Sequence, residues 1–389
     1  MRKCKNVLTS YLQYTEQTEA PISYHMWSML SVIATCLRRK VWFNMGDFDY
    51  FPNMYVVLVG PPGRAKKSTA INQAMRLITN FDLRVSADSI TREALIRDIK
   101  QAEQITQIGT SNLKTHASLT IVSKELSVFL GTGNHDLLAL LTDLYDAPEK
   151  WEYKTKGSGV DTINGIWLNL LGASTPDWLV GSIPITAIGG GFTSRVIFVV
   201  EQDTKCKIPR PKVSTALKSL KEDIKHDLEE ISLLSGEYTM TQDAGEMFDA
   251  WYMKGNDYSK IDKKFWGYME RKPAHLIKVS MLVAASSSND MVITKDHVTV
   301  ALSLLDGIEP RMIEAFGAAG RSEIAVDISD LEDMIKTVGR ISRVDILNGV
   351  WRDITPTNFD AGIDVLIQMG RISTDVSCGK IFYKWEGRP

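Results

Sequence analysis

Gly60-Pro61-Pro62-Gly63-Arg64-Ala65-Lys66-Lys67-Ser68-Thr69 is the stretch on which the fold turns. Before it runs Met54-Tyr55-Val56-Val57-Leu58-Val59, an apolar, β-branched segment that predicts a buried strand. After it runs Ala70-Ile71-Asn72-Gln73-Ala74-Met75-Arg76-Leu77-Ile78, with apolar positions at helical spacing. Strand, glycine-rich turn, Lys-Ser and helix is the order of a phosphate-binding P-loop. In such a loop, backbone N–H groups and the positive end of the helix hold phosphate. The lysine reaches the β and γ phosphates, and the hydroxyl holds Mg²⁺.

Two registers fit. The usual spacing is G-x-x-x-x-G-K-[ST]. Anchored on Gly60, the second glycine becomes Ala65, the lysine is Lys66 and the hydroxyl position is Lys67. Anchored on Lys67-Ser68, the second glycine becomes Lys66 and the first becomes Pro61. The second register, with one extra residue in the loop, is preferred because it sets a hydroxyl directly after the lysine. The candidate ATP-binding residues are therefore Gly60, Gly63, Lys66, Lys67, Ser68 and Thr69, with Ser68 on Mg²⁺. The alternative is a basic surface turn.

At 389 residues the chain is long for one domain. Its 44% apolar and 24% charged residues are those of an ordinary globular protein, and a net charge of −2 gives no global basic field. Any nucleic-acid contact must come from local clusters. No run is long enough for a membrane helix, and no apolar stretch of signal-peptide type follows the basic residues 1–5. Cys4, Cys36, Cys206 and Cys378 are scattered, which argues for reduced thiols in a cytoplasm and against zinc or disulfides.

Strands alternating with helical stretches predict an α/β fold with a mainly parallel sheet. Residues 1–50 read as a helical segment in which Ser23 caps a helix over about residues 24–39. Residues 51–204 read as a P-loop ATPase core and 205–320, after a Pro- and Lys-bearing linker, as a helical lid. Residues 321–389 offer three short helices and then a hairpin, a winged-helix arrangement.

An ATPase of this kind needs an acid, a sensor, a cation from a neighbouring subunit and a moving part. Glu125, after the buried run Leu119-Thr120-Ile121-Val122, is the candidate general base. Lys124 precedes it where an aspartate is usual, leaving Mg²⁺ short of one carboxylate; a solvated strand-end glutamate is the alternative. Thr175, in Ser174-Thr175-Pro176, is the candidate sensor, or equally a turn cap. Arg195, after Gly189-Gly190-Gly191 and before a buried strand, is the candidate arginine finger; the alternative is an arginine paired to a local carboxylate. Trp151 to Ile163 alternates around a Gly-Ser-Gly tip and reads as a β-hairpin. Its Lys154 and Lys156 share a face and suit contact with a phosphate backbone, or simply solubilise the hairpin. Arg271 and Lys278 are candidate lid sensors reaching the nucleotide, or solvated charges. His275 and His297 are isolated and read as structural. The last helix of the C-terminal unit carries Asp360 and Asp364 and no basic residue, which suits protein contact better than a DNA groove.

The order of parts resembles the phage- and plasmid-encoded P-loop proteins often called primase-helicase or helicase-like. The resemblance rests on Phe51-Pro52-Asn53-Met54-Tyr55 leading into Gly60-Pro61-Pro62-Gly63 with Lys67-Ser68-Thr69-Ala70. It continues through residues 86–95, the Glu125 strand, Leu144-Tyr145-Asp146, residues 170–176 and Gly191-Phe192-Thr193-Ser194-Arg195. The same order also resembles AAA+ helicases of the minichromosome-maintenance and superfamily-three type. That likeness implies a hexameric ring, ATP at subunit interfaces, the hairpin lysines in a central channel, single-stranded or forked DNA as partner, and replication proteins as further partners. The alternatives are a non-motor loader or assembly protein that only binds nucleotide and, less well matched, a small-molecule kinase.

Overall fold

The computed structural model describes residues 1–389 apart from 87–89, 109–111, 132–133, 156–158, 183–190, 213, 318–322, 351–353, 355, 378 and 388–389. The chain divides into two compact units, Met1–Gly317 and Ala318–Pro389.

The first unit opens with helices α1 (Val7–Tyr14) and α2 (Ile22–Leu37), then strands β1 (Val41–Met45), β2 (Phe48–Tyr50) and β3 (Tyr55–Val59). Next come α3 (Lys67–Met75), β4 (Val85–Ser86), α4 (Arg92–Gln101), β5 (Glu103–Ile108), β6 (Asn112–Ser123), α5 (Leu126–Leu130) and α6 (His135–Leu144). The hairpin β7 (Lys150–Thr155) and β8 (Gly159–Asn164) leads to β9 (Ile166–Ser174), α7 (Pro176–Ser182) and β10 (Val196–Val200). The unit ends with α8 (Thr215–Ser232), β11 (Gly236–Met240), α9 (Gln242–Lys254), α10 (Trp266–Ser287), β12 (Val292–Ile293) and α11 (Lys295–Gly317).

Five strands form a parallel sheet in the order β10-β3-β9-β6-β4, and β5 adds antiparallel to the first half of β6. Every residue of β3 and of β9 is buried. Such continuous apolar strands belong to a parallel sheet covered on both faces. Helix α2 packs against this sheet and buries thirteen of its sixteen residues, so it is apolar nearly all round rather than amphipathic. Two of the polar exceptions, Ser31 and Thr35, join a network with polar side chains of the sheet. Asn169 on β9 accepts from the Met54 N–H (3.0 Å) and donates to Ser31 Oγ (2.9 Å) and Thr35 Oγ1 (3.2 Å) of α2, and Thr120 on β6 donates to Thr35 Oγ1 (3.0 Å). A buried network with its partners in place fixes register where apolar contacts alone would slide.

Several expectations change here. The cap of α2 is Pro21, without a side-chain hydrogen bond, and Ser23 instead donates to Glu201 Oε1 (2.6 Å) across the fold. The segment after residue 205 is not purely helical. Its β11 pairs parallel with β1 and with β12, and β2 closes a second sheet in the order β12-β11-β1-β2. Residues 48–50, in the segment that reads as helical, therefore form the edge strand β2. Val7, Leu30, Val56, Leu228, Leu282 and Leu305 belong to one core, so the segments 1–50, 51–204 and 205–317 fold together.

The second unit runs α12 (Glu323–Val338), β13 (Arg340–Ser342), α13 (Arg343–Val350), α14 (Pro356–Gln368), β14 (Ile372–Ser377) and β15 (Lys380–Trp385). Its sheet is antiparallel, in the order β13-β15-β14, and Leu331, Ile346, Phe359, Leu366 and Tyr383 fill its own core. The three helices and the hairpin expected of this segment are present, and β13 is an added strand that completes the sheet. Arg343 pairs with Asp360 (2.7 Å) and donates to the Tyr383 hydroxyl (3.3 Å), which ties α13 to α14 and to β15.

Among the described residues no helix is long and apolar enough to cross a membrane, and no group of His, Cys, Asp and Glu is arranged to hold a metal. Cys4, Cys36 and Cys206 are free thiols.

Candidate nucleotide site

Loop 60–66 joins the carboxyl end of β3 to the first turn of α3. Gly60 N–H donates to Ser174 O (3.2 Å), so the loop begins against the carboxyl end of β9. Glycine is required at position 60 by space. A Cβ there would fall on the Glu201 carbonyl oxygen and lie 2.6 Å from the Tyr24 hydroxyl and 2.8 Å from the Ala65 Cβ. That hydroxyl donates to Val59 O and, at 3.3 Å, to Glu201 O, fastening α2 to the ends of β3 and β10. Gly60→Ala is expected to cost roughly 1–3 kcal/mol by overpacking, read as a lower midpoint in urea with an unchanged slope. Gly63, by contrast, stands in open space at φ +68° and serves the turn.

The backbone separates the two lysines. Lys66 is left-handed (φ 55°, ψ 33°), the conformation that favours glycine, in the position where the motif usually has its second glycine. Its ammonium faces outward to Glu19 (3.6 Å). Lys67 is the first residue of α3, and its Nζ turns into the loop to donate to Gly60 O and to Pro61 O (3.2 Å). Burial pulls its ammonium below the ordinary lysine range. Ser68 follows with an exposed side chain and Thr69 is half-buried. The start of α3 carries no side-chain cap, so its first-turn N–H groups are not taken by a neighbouring side chain. This arrangement fits an anion such as a nucleotide's phosphates. A cleft of about 400 Å³ opens beside Lys66 and Thr69, walled by Tyr14, Thr18, Gln73 and Ile208.

Two further candidates stand at the same end of the sheet. Thr175 directly follows β9, and its Oγ1 accepts from Trp178 N–H (3.4 Å), so in this state it caps α7. Glu125 follows β6 at the start of α5. It is exposed and makes no side-chain cap; its carbonyl accepts from Val128 N–H (3.0 Å), while its carboxylate takes no hydrogen bond or ion pair among the described residues. Lys124 beside it is exposed. Ser123, which the sequence offers only as the last residue of an apolar strand, is fully buried, and its Oγ has no partner among the described residues. It pairs in register with Gly172 of β9.

The other candidates lie at the opposite end. Val196 pairs with Tyr55, so Arg195 sits beside the amino end of β3, separated from the loop by about 16 Å of strand. Its side chain is only 12% exposed and bonds Asp146 Oδ2 (2.8 Å) and Gly191 O (2.7 Å). Arg271, on α10, bonds the other oxygen of the same carboxylate (3.0 Å). Burial opposes ionisation of Asp146, yet the two guanidiniums prevail and hold its carboxyl below the usual range. Lys278 is buried and donates to Asn53 O (3.2 Å) and Asn53 Oδ1 (2.8 Å), with its ammonium 4.2 Å from the centre of the Tyr145 ring. Burial lowers its pKa to about 7. Asn53 precedes β3, so Lys278 and Arg271 belong to the amino end of the sheet. These two candidate lid sensors therefore stand at the end of β3 opposite the loop. His275 is buried between the Tyr145 hydroxyl (3.1 Å) and Ser194 O (3.1 Å), a packing role.

The hairpin β7–β8 pairs Lys150 with Asn164 at its root and Lys154 with Val160 further out. Trp151 Nε1 donates to Asp143 (2.9 Å), and Arg92 lies over the Tyr153 ring (5.0 Å). Lys156 and the tip lie outside the described residues, as does the side chain of Lys154.

No protein-family model matches the chain, and no curated protein matches its sequence.

Proposed function

We propose that the chain is an ATP-dependent, ring-forming DNA translocase or helicase of a phage or mobile element, acting in the host cytoplasm. One observation carries this reading: the candidate groups are divided between the two ends of one sheet. Lys67, Thr175 and Glu125 collect at the carboxyl end, and Arg195 stands at the amino end. One copy cannot bring its own Arg195 to its own loop, whereas a neighbouring copy in a ring can. The strand order β10-β3-β9-β6-β4, with the loop after β3 and the acid after β6, fits a P-loop ATPase of AAA+ type. The helix-strand-helix-helix-strand-strand order of the second unit fits a winged helix, and its acidic α14 suits a partner protein of replication.

In this reading the loop N–H groups and Lys67 hold the phosphates, and Ser68 holds Mg²⁺, which neutralises charge on them. Glu125 accepts a proton from the attacking water, and Arg195 of the neighbouring copy offsets charge on the transferring phosphoryl group. The β7–β8 hairpin grips single-stranded DNA through Lys154 and Lys156. A second reading, a nucleotide-dependent loader without motor activity, is favoured by one feature. Lys124 stands where a magnesium-supporting aspartate is usual.

ATP turnover with and without single-stranded DNA separates the two. The motor predicts turnover that DNA stimulates, that Glu125→Gln removes, and whose stimulation Lys154→Ala/Lys156→Ala removes. Nucleotide-dependent oligomers with no turnover in the wild type would decide for the loader.

A further inference from the structure

Asp146 bridges two cations from separate elements. Arg195, just before β10, takes one carboxylate oxygen, and Arg271, on α10, takes the other. The carboxylate is the exposed member of the group: its side chain is 54% exposed against 12% for Arg195. A cleft of about 650 Å³ opens onto Asp146 and Arg195, walled also by Thr142, Trp151 and Phe192.

Arg195 does not depend on Asp146 for its seat. Its Nη1 is anchored on Gly191 O (2.7 Å), and its guanidinium lies 5.9 Å from the centre of the Tyr145 ring. Its Nε is buried without a partner among the described residues, a donor left over. Two guanidiniums that converge on one small anion form a site for anions in general, because each presents planar paired donors. A phosphoryl group carries more charge and more acceptor oxygens than a carboxylate, so it satisfies this pair better.

We propose that Asp146 is a resident substitute for phosphate, which keeps Arg195 and Arg271 together so that the pair is handed to the nucleotide phosphate presented by a second copy. The second-copy part rests on the ring-ATPase reading; the anion site itself does not. Arg271 thereby gains a role in trans that it cannot have toward its own loop.

The test has two arms. In the turnover assay, Arg271→Ala should lower kcat roughly 10- to 100-fold, the loss of one charge-assisted contact made to the transferring group. KM for ATP should stay within about twofold, as for a contact made mainly in the transition state. Arg271→Lys should recover only part of the loss. An unchanged kcat, or a loss confined to KM, overturns the paired role. In the second arm the probe is inorganic phosphate, and Lys67→Ala is present throughout to weaken the loop. Adding Asp146→Asn should create a phosphate-dependent rise in melting temperature that Lys67→Ala alone lacks and that a further Arg271→Ala removes. No such rise in folded Lys67→Ala/Asp146→Asn protein overturns the anion site. A wild type without turnover counts against the ring ATPase and leaves the phosphate arm to judge the site by itself.

Discussion

Lys67→Ala is expected to abolish ATP turnover, while Lys66→Gly keeps it. The two side chains are adjacent in sequence and opposite in direction. The Lys67 ammonium lies inside the loop on the Gly60 and Pro61 carbonyls, and that of Lys66 faces Glu19. In the proposed site, removing Lys67 takes away the loop cation that would meet the β and γ phosphates. Losing such a charge-assisted, transition-state contact costs on the order of 100-fold or more in kcat. Lys66 contributes backbone geometry. Its left-handed φ of 55° is strained for a lysine and free for a glycine. Lys66→Gly relieves roughly 1 kcal/mol of strain and gives up a similar amount in chain entropy, so stability should hardly move. Turnover and urea unfolding of the two variants side by side check both halves. Equal losses in the two variants would mean that the register is wrong.

Arg195→Ala is expected to lower kcat by about 10³-fold or more, the range for an arginine that stabilises a transferring phosphoryl group. Binding of ATP to the loop should be nearly unaffected, because Arg195 and the loop stand at opposite ends of β3 and β10. Equimolar mixing of Arg195→Ala with Lys67→Ala separates a shared site from a private one. Some neighbours in a mixed ring pair an intact loop with an intact arginine, so activity should return to a sizeable fraction of the wild type. If each arginine served its own loop, the mixture would stay inactive. Measurement of ATP turnover as a function of mixing ratio gives the answer.

Much of the sheet was legible from sequence because its strands are buried on both faces. Continuous apolar runs such as Val56–Val59 and Val196–Val200 have few other uses, and their flanking turns mark their ends. The register of the loop was legible in part. The hydroxyl directly after Lys67 favours that lysine in the sequence, and the left-handed backbone at Lys66 and the inward turn of the Lys67 ammonium separate the two in the fold. The second sheet was invisible for a different reason. Val41 pairs with Gly236, and no local pattern announces a parallel partner so far along the chain. The same distance hides Asp146 as the partner of Arg195 and Arg271, and Tyr24 as the clasp on Val59. Ser23 looked like a helix cap by residue type, yet its hydroxyl is held by Glu201, which reached it only through the fold. Lys278 read as a candidate lid sensor or a solvated charge; burial against Asn53 and Tyr145 gives it a place at the amino end of the sheet.

In the proposed reading, the division of the candidate groups between the two ends of one sheet makes two copies share each site. Light scattering of the wild-type chain at fixed concentration, with and without MgATP, tests this most directly. A ring predicts a several-fold rise in mass on adding MgATP, lost in Lys67→Ala. A chain that binds ATP and stays at the mass of one copy contradicts it.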